Sequence, residues 1–377
     1  MLVAFVLVSF LVPFAVAAVA TEVVRRVALR VGLVDKPAAR KVHEDVTPLG
    51  GGLAIFVAVA VTGSGFWAAA AWLVSAGVPS WAPAGVDELA AGALGRWPEL
   101  LAIGAAAATL VATGLLDDRF ALPWQPRLAV QVLAAAAVAV YGARISVFVD
   151  SAWFGVLVTT GWIVTLVNSF NFLDNMNGLS GGLAVIASVT LATVMLCGGG
   201  EKHWFVAAGA LALAGGVGGF LVHNWRGRIF MGDAGSYFVG LSLGTLTAAA
   251  TFYSDAFGSR HVIVAPLLIL AVPLYDTASV LWIRFREGRS PFRPDKSHFS
   301  HRLVEMGMTR TSAVLTIYLA GTVCGLSAVL LYQVPGWTGA GLLIALVACV
   351  LGVIAMLETV GVRSARDEAG EEAGPTR

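Results

Sequence analysis

Along this chain, long apolar runs alternate with short clusters of polar and charged residues. A helix that crosses the hydrocarbon core of a bilayer needs about 20 mostly apolar residues. The polar clusters cut the chain into about eleven runs of that kind, at approximately 2 to 20, 50 to 75, 98 to 116, 128 to 143, 147 to 167, 180 to 198, 204 to 222, 235 to 253, 262 to 283, 312 to 332 and 338 to 358. Each is predicted to be a helix, because a helix satisfies all its backbone hydrogen bonds within one segment and needs no water to do so.

Composition supports this reading. Of 377 residues, 58% are hydrophobic and 12% charged, with a mean hydropathy of +0.83; soluble domains carry roughly 25% charged residues. The pattern predicts an all-α, polytopic integral membrane protein. The first run has no basic residue before it and Arg25, Arg26 and Arg30 after it. That is the reverse of a secretory signal's charge order, so the N-terminus is expected outside. Alternating sides from there leaves only Arg96, Arg144, Lys202 and Arg260, out of 24 Lys and Arg, on the outer face, as the positive-inside rule requires. The C-terminus is then cytoplasmic. Residues 1–362 form one transmembrane domain, and the acid-rich tail 363–377 is expected to be disordered. A net charge of +1 indicates no class of partner. Cys197, Cys324 and Cys349 lie in or beside apolar runs without metal-ligand spacing and read as small core residues.

The polar clusters carry the candidate chemistry. The densest spans Asn168 to Gly182, where Asn168, Asn171, Asp174, Asn175 and Asn177 fall within an otherwise apolar region. Asn168, Asn171, Asp174 and Asn177 recur every third residue, so a straight α-helix would spread them over about half its circumference. Convergence on one site requires the helix to tighten or unwind near Asn175 and Gly178. Amides suit a nucleobase or ribose, and a carboxylate suits a metal or a proton. Asp117 and Asp118 end the third run. Neighbours on a helix point about 100 degrees apart, so one is expected to serve a metal or act as a base while the other is held by Arg119. Asp233, between glycines at the start of the eighth run, reads as a ligand for a hard cation facing a phosphate; the plain alternative is a helix N-cap. Lys41 and His43 precede Pro48 and the glycines 50–52 and suit phosphate. Asp276, inside the ninth run, marks either a function or a pairing with a neighbouring helix. His298 and His301 with Arg302 suit phosphate near neutral pH.

No Walker loop, dinucleotide fingerprint, zinc spacing or nucleic-acid-binding feature occurs. Acids for a divalent cation, basic groups for phosphates and amides for a base, all on the cytoplasmic side, describe phosphoryl transfer with a nucleotide-linked substrate. A transporter would instead place its polar groups near the bilayer midplane.

From Asp35-Lys36-Pro37 to about Leu303 the chain resembles the polyprenyl-phosphate N-acetylhexosamine-1-phosphate transferases, within glycosyltransferase family 4. The marks are Thr47-Pro48 with Gly50-Gly51, Asp117-Asp118-Arg119, Asn168 to Gly178, Phe230 to Ser236 and the histidine loop. The resemblance implies transfer of a sugar-1-phosphate from a UDP-N-acetylhexosamine, GlcNAc rather than the muramoyl pentapeptide, to undecaprenyl phosphate. UMP would be released, with magnesium as cofactor and manganese as an allowed substitute. It implies that Asp117 deprotonates or orients the lipid phosphate with support from Asp118, that Asp233 with Asp118 ligates magnesium, and that Asp174 joins in catalysis. Asn168, Asn171 and Asn177 would line the nucleotide site, with Phe230 stacking on uracil. Lys41, His298, His301 and Arg302 would bind phosphate or sugar. Expected partners are the UDP-sugar, the polyprenyl phosphate and the bilayer of the plasma (inner) membrane, with a homodimer allowed and no nucleic acid. The chain departs from the family pattern at Asn177, where an aspartate is common, at Ser300, where a histidine is common, and between Asn224 and Phe230, which is about one residue short.

Overall fold

In the computed structural model, the described residues are all of 1–377 except 36–45, 80–81, 83–84, 146–148, 150, 199–201, 251, 253–259, 291–297 and 373–377, with side chains described as far as Met356. The elements in order are α1 (Leu2–Val31), β1 (Val34–Asp35), β2 (Thr47–Pro48), α2 (Gly51–Ala76), α3 (Val86–Gly95), α4 (Trp97–Phe120), α5 (Trp124–Tyr141), α6 (Ala152–Leu173), α7 (Leu179–Cys197), α8 (Trp204–Asn224) and α9 (Gly232–Ala249). A 3₁₀ turn (Arg260–Val264), α10 (Ala265–Ile269), α11 (Ala271–Arg286), α12 (Phe299–Glu305), α13 (Arg310–Leu330) and α14 (Gly336–Glu372) complete the chain. The fold is all-α apart from the antiparallel pair of two-residue strands, in which Asp35 faces Thr47.

Eight of the described helices are long and apolar enough to cross a membrane: α1, α2, α4, α6, α7, α8, α13 and α14. The ninth predicted run is a broken span, bent by 66° between Arg260–Ile269 and Ala271–Arg286. The fourth and eighth runs are α5 and α9, each of 18 residues, and both fall outside the eight. For α9 the reason is packing. Nearly all of its residues are buried against other helices, so Gly, Ser and Thr replace the large apolar side chains that lipid would demand. The segment from Arg363, expected as a disordered tail, is drawn as helix as far as Glu372.

Burial separates a centre from a rim. The apolar windows of α7 and α8 are 72% and 67% buried, against 17% for α1 and for α14. Small residues make the close contacts. Gly215 and Gly219, on one face of α8, lie so near Phe10 and Phe14 of α1 that a Cβ would sit 2.1 and 2.2 Å from their carbonyl oxygens. The same device grips the start of α9. A Cβ on Gly52 of α2 would be 2.0 Å from the Gly235 nitrogen, and one on Gly114 of α4 would be 2.3 Å from the Ala234 nitrogen. Gly240, further along α9, packs on the backbone of Val167 in α6 in the same way. Three helices thus meet α9 at backbone distance, and two of them fix the turn that carries Asp233.

Candidate active site

The site is built around the N-terminus of α9, whose first backbone N–H groups have no partner within their own helix. Carboxylates of other helices supply the acceptors. The Asp233 N–H donates to Asp118 Oδ1 at 2.9 Å, with the Ala234 amide beside it, and the Gly232 N–H serves Asp174. Of the two sequence alternatives for Asp233, the N-cap role therefore falls to Asp118, on a different helix. Asp233 is left with its carboxyl turned to the site. Its Oδ1 accepts 2.6 Å from Asn171 Nδ2, which also donates to Ser236 Oγ at 3.1 Å.

Asp117 and Asp118 diverge as adjacent helical residues must, yet both end against α9. Asp117 is buried. Its Oδ1 accepts from the Leu122 N–H at 2.8 Å, and its Oδ2 from Arg127 and from the Tyr237 hydroxyl at 3.2 Å. Its carboxyl also lies beside that of Asp233, with Arg127 3.7 Å from Asp233 Oδ2. The guanidinium between the two acids offsets their mutual repulsion. Arg119 does not hold either aspartate; it is exposed and donates to the Gly32 carbonyl at 2.9 Å. Arg127 was the signal to weigh, since it is the other cation of the same short connection. Tyr237 lies four residues after Asp233, one turn along the same helix face.

Helix α6 ends at Leu173, and the chain turns through Asp174 to Gly178 before α7 starts, at the place where the sequence allows the helix to unwind. Gly178 adopts φ 81, a conformation that favours glycine. Its N–H donates to Asn224 Oδ1 at 2.8 Å, while Asn224 Nδ2 donates to the Ile229 carbonyl at 2.9 Å. One buried amide thus joins the turn after α6 to the segment before α9. Asn224 was missed because, two residues beyond the seventh apolar run, it reads as one polar residue among several in the loop that follows. That segment is also tied to the strand pair: the Phe230 N–H donates to the Pro48 carbonyl, and the Gly51 and Gly52 N–H groups donate to the Phe230 and Met231 carbonyls.

Asp174 is partly exposed, and burial together with the neighbouring Asp118 charge pushes its carboxyl up to about 7. Asp118 Oδ2 is buried without a hydrogen-bond partner. An orphaned carboxylate oxygen beside two further carboxylates fits a divalent cation. Among the described residues no three His, Cys, Asp or Glu are already grouped as a ligand sphere. The fit is therefore to an ion such as magnesium, which takes one or two carboxylates and completes its sphere with substrate oxygens and water.

The amide residues divide. Asn168 turns to α5, donating to Gln131 Oε1 and the Val164 carbonyl at 2.8 Å each, so it braces two helices. Asn171 belongs to the acid cluster, and exposed Asn177 has its Nδ2 close to Gly227. His298 lies against Phe172, and Arg302 reaches α11. His298 packs edge-on against that ring at 5.7 Å and lies 6.5 Å from the His301 ring, and Arg302 donates to Ser279 Oγ at 3.1 Å. Ser300, the departure from the family's histidine, is buried and donates to Asn175 Oδ1 at 2.7 Å, tying α12 to the amide turn. Lys41 and His43 lie outside the described residues.

The pattern of glycosyl transferase family 4 matches residues 100–251, the stretch that holds all four aspartates. The chain is 31% identical to the probable undecaprenyl-phosphate N-acetylglucosaminyl 1-phosphate transferase of Bacillus subtilis, covering 88% of this chain and 86% of that protein. It is 32% identical to the decaprenyl-phosphate N-acetylglucosaminephosphotransferase of Mycolicibacterium smegmatis, over 88% and 84%. It is 29% identical to the undecaprenyl-phosphate alpha-N-acetylglucosaminyl 1-phosphate transferase of Escherichia coli K12, over 83% and 81%. With its aspartates gathered on the α9 N-terminus and this likeness running nearly end to end, the chain belongs to the polyprenyl-phosphate N-acetylhexosamine-1-phosphate transferases of glycosyltransferase family 4.

Proposed function

We propose that the chain transfers N-acetylglucosamine-1-phosphate from UDP-N-acetylglucosamine to undecaprenyl phosphate, releasing UMP, as the first membrane step of a cell-envelope glycan. The observation that carries this is the set of four carboxyls on the α9 N-terminus, with one buried oxygen left unpartnered. In the reaction an oxygen of the lipid phosphate bonds to the phosphorus attached to the sugar, and the bond from that phosphorus to the bridging oxygen of UMP breaks. Protein-side catalysis of such a transfer is mostly charge neutralisation and alignment.

Asp117 orients the acceptor phosphate or takes its proton. Arg127 and Tyr237 hold that carboxylate in one place, and Arg127, being partly exposed, remains available to an incoming phosphate. Asp118 and Asp233 would hold magnesium, or manganese in its place, with Asp174 close by, and the bound ion would supply charge neutralisation of the diphosphate. Asn171 keeps the Asp233 carboxyl aimed. Asn177 and Phe230 would line the nucleotide side, with Asn168 bracing α6 on α5; His298, His301 and Arg302 would line the phosphate and sugar side, and Lys41, outside the described residues, is a further candidate for phosphate.

The same reading places eleven crossings in the plasma membrane, with the N-terminus outside and the site on the cytoplasmic face. Basic residues crowding the site's side of the membrane support that orientation, and the exposed apolar surface of α1 and α14 supports the membrane setting. A homodimer is compatible with it. The test is purified protein in detergent with radiolabelled UDP-N-acetylglucosamine and undecaprenyl phosphate, with and without magnesium. A lipid-linked product that needs the cation is expected, and no product under either condition refutes the transferase reading. Faster turnover of UDP-N-acetylmuramoyl pentapeptide would move the chain to the muramoyl branch.

A further inference from the structure

Asp276 lies on α11 in the bent span and is 0% exposed. A carboxylate in that setting is costly unless both oxygens are satisfied, and both are satisfied by α12. Oδ2 lies 3.0 Å from His298 Nδ1, and Oδ1 accepts 2.8 Å from the N–H of Phe299, the first residue of α12. One side chain therefore fixes both the histidine ring and the backbone turn that presents it. A carboxylate only accepts, so the proton of the pair sits on Nδ1. Nε2, on the opposite edge of the ring, makes no hydrogen bond to a described residue. The ring rests edge-on against Phe172, two residues before Asp174, and the Arg284 guanidinium lies 5.3 Å from the centre of the same Phe172 ring.

We propose that Asp276 is a positioning residue that sets the tautomer and aim of His298, so that Nε2 meets the sugar-phosphate part of the donor. This rests on the transferase reading above. A plain tie between α11 and α12 would need only the bond to Phe299, which an amide oxygen makes equally well. The bond to Nδ1 is the one that an amide cannot copy without presenting its own N–H, which drives the ring proton to Nε2. Asn at 276 thus keeps the helix tie and breaks the positioning.

The experiment is a double-mutant cycle in steady-state kinetics on purified protein, with Asp276→Asn, His298→Ala and both together. UDP-N-acetylglucosamine and undecaprenyl phosphate are varied separately. Asp276→Asn is expected to raise the donor KM by about 10-fold or more, the usual scale for removing a partner behind a ligating histidine. The acceptor KM should stay within about 2-fold, and on the His298→Ala background the same change should matter by less than about 2-fold, because coupled residues are not additive. Asp276→Glu keeps a carboxylate, and is expected to recover part of the donor KM. Should Asp276→Asn fail to fold, Asp276→Glu runs the same cycle, with a smaller donor-KM effect that also vanishes without His298. Equal losses on both backgrounds, or equal changes for donor and acceptor, overturn the proposal. So does wild-type kinetics in Asp276→Asn, which would leave the transferase reading standing. A wild-type protein that makes no lipid product refutes that reading itself.

Discussion

The grip on the start of α9 is open to a direct test by adding single methyl groups. In Gly52→Ala the new Cβ would lie 2.0 Å from the Gly235 nitrogen and 2.2 Å from its Cα. Carbon atoms pack favourably at about 3.5 Å or more, so α2 and α9 must part by roughly 1.5 Å. The obstacle is backbone, which has no rotamer to escape into. Gly114→Ala meets Ala234 and Asp233 backbone at 2.3 to 2.6 Å from the other side. Overpacking of this kind costs about 1–3 kcal/mol or more. The larger effect should be on turnover, because a displacement of about 1 Å at a reacting centre can cost about 100-fold, and Asp233 with the two N–H groups holding Asp118 and Asp174 sits on that turn. Gly63 and Gly65, further along the same α2, have nothing within 4 Å of a new Cβ. Replacing an unconstrained helical glycine by alanine stabilises by roughly 0.5–1 kcal/mol. Melting of the purified proteins followed by tryptophan fluorescence, together with lipid-product assays, should therefore split the four variants. Gly52→Ala and Gly114→Ala should lose about 100-fold in rate and melt lower, while Gly63→Ala and Gly65→Ala should match or exceed the wild type. Wild-type rate and melting in Gly52→Ala would refute the claim that close α2–α9 contact sets the site.

Asp117→Asn and Asp233→Asn change charge with little change of shape, and each should lower turnover by at least about 100-fold while membrane insertion is retained; near-normal turnover in either would show the chemistry misassigned. Asn224→Ala strands a buried N–H on Gly178 and a carbonyl on Ile229, and should cost about 2–4 kcal/mol, read as a lowered melting temperature. Asp174 gives a pH dependence. Its folded pKa of about 7 is raised above the ordinary 3.8, so without a cation its contribution to stability is present at low pH and is lost as pH rises toward 7. A bound cation relieves that loss, so the rise in melting temperature on adding magnesium should be larger at pH 8 than at pH 6. An equal rise at both would remove Asp174 from the cation site. Chelation of magnesium should abolish product formation.

The sequence alone determined the fold class and the identity of the polar clusters. Long apolar runs can hide their backbone polar groups only as helices, and an acid or amide is conspicuous where charge is only 12% of the chain. The turn near Asn175 and Gly178 was also legible, because a glycine after a run of amides suits the left-handed conformation that ends or starts a helix; the convergence of all four polar residues on one site was not, since Asn168 and Asn171 face different helices. The pairings were not. Arg127 rather than Arg119 holds Asp117, although Arg119 is the nearer in sequence, because the outcome depends on where α5 packs beside α4. Likewise Asn168 braces α5 while Asn171, one turn later, joins Asp233; two similar amides differ only in which helix each one faces. Asp276 could be marked as an ionisable group in an apolar run, but only the fold brings it to His298, 22 residues further along the chain. Tertiary structure decided these matters because side-chain partners are set by helix rotation and contact distance, neither of which hydropathy encodes. Gly52 and Gly114 show the same limit: as bare glycines they are unremarkable, and only the helix that comes to rest against each makes its missing Cβ matter.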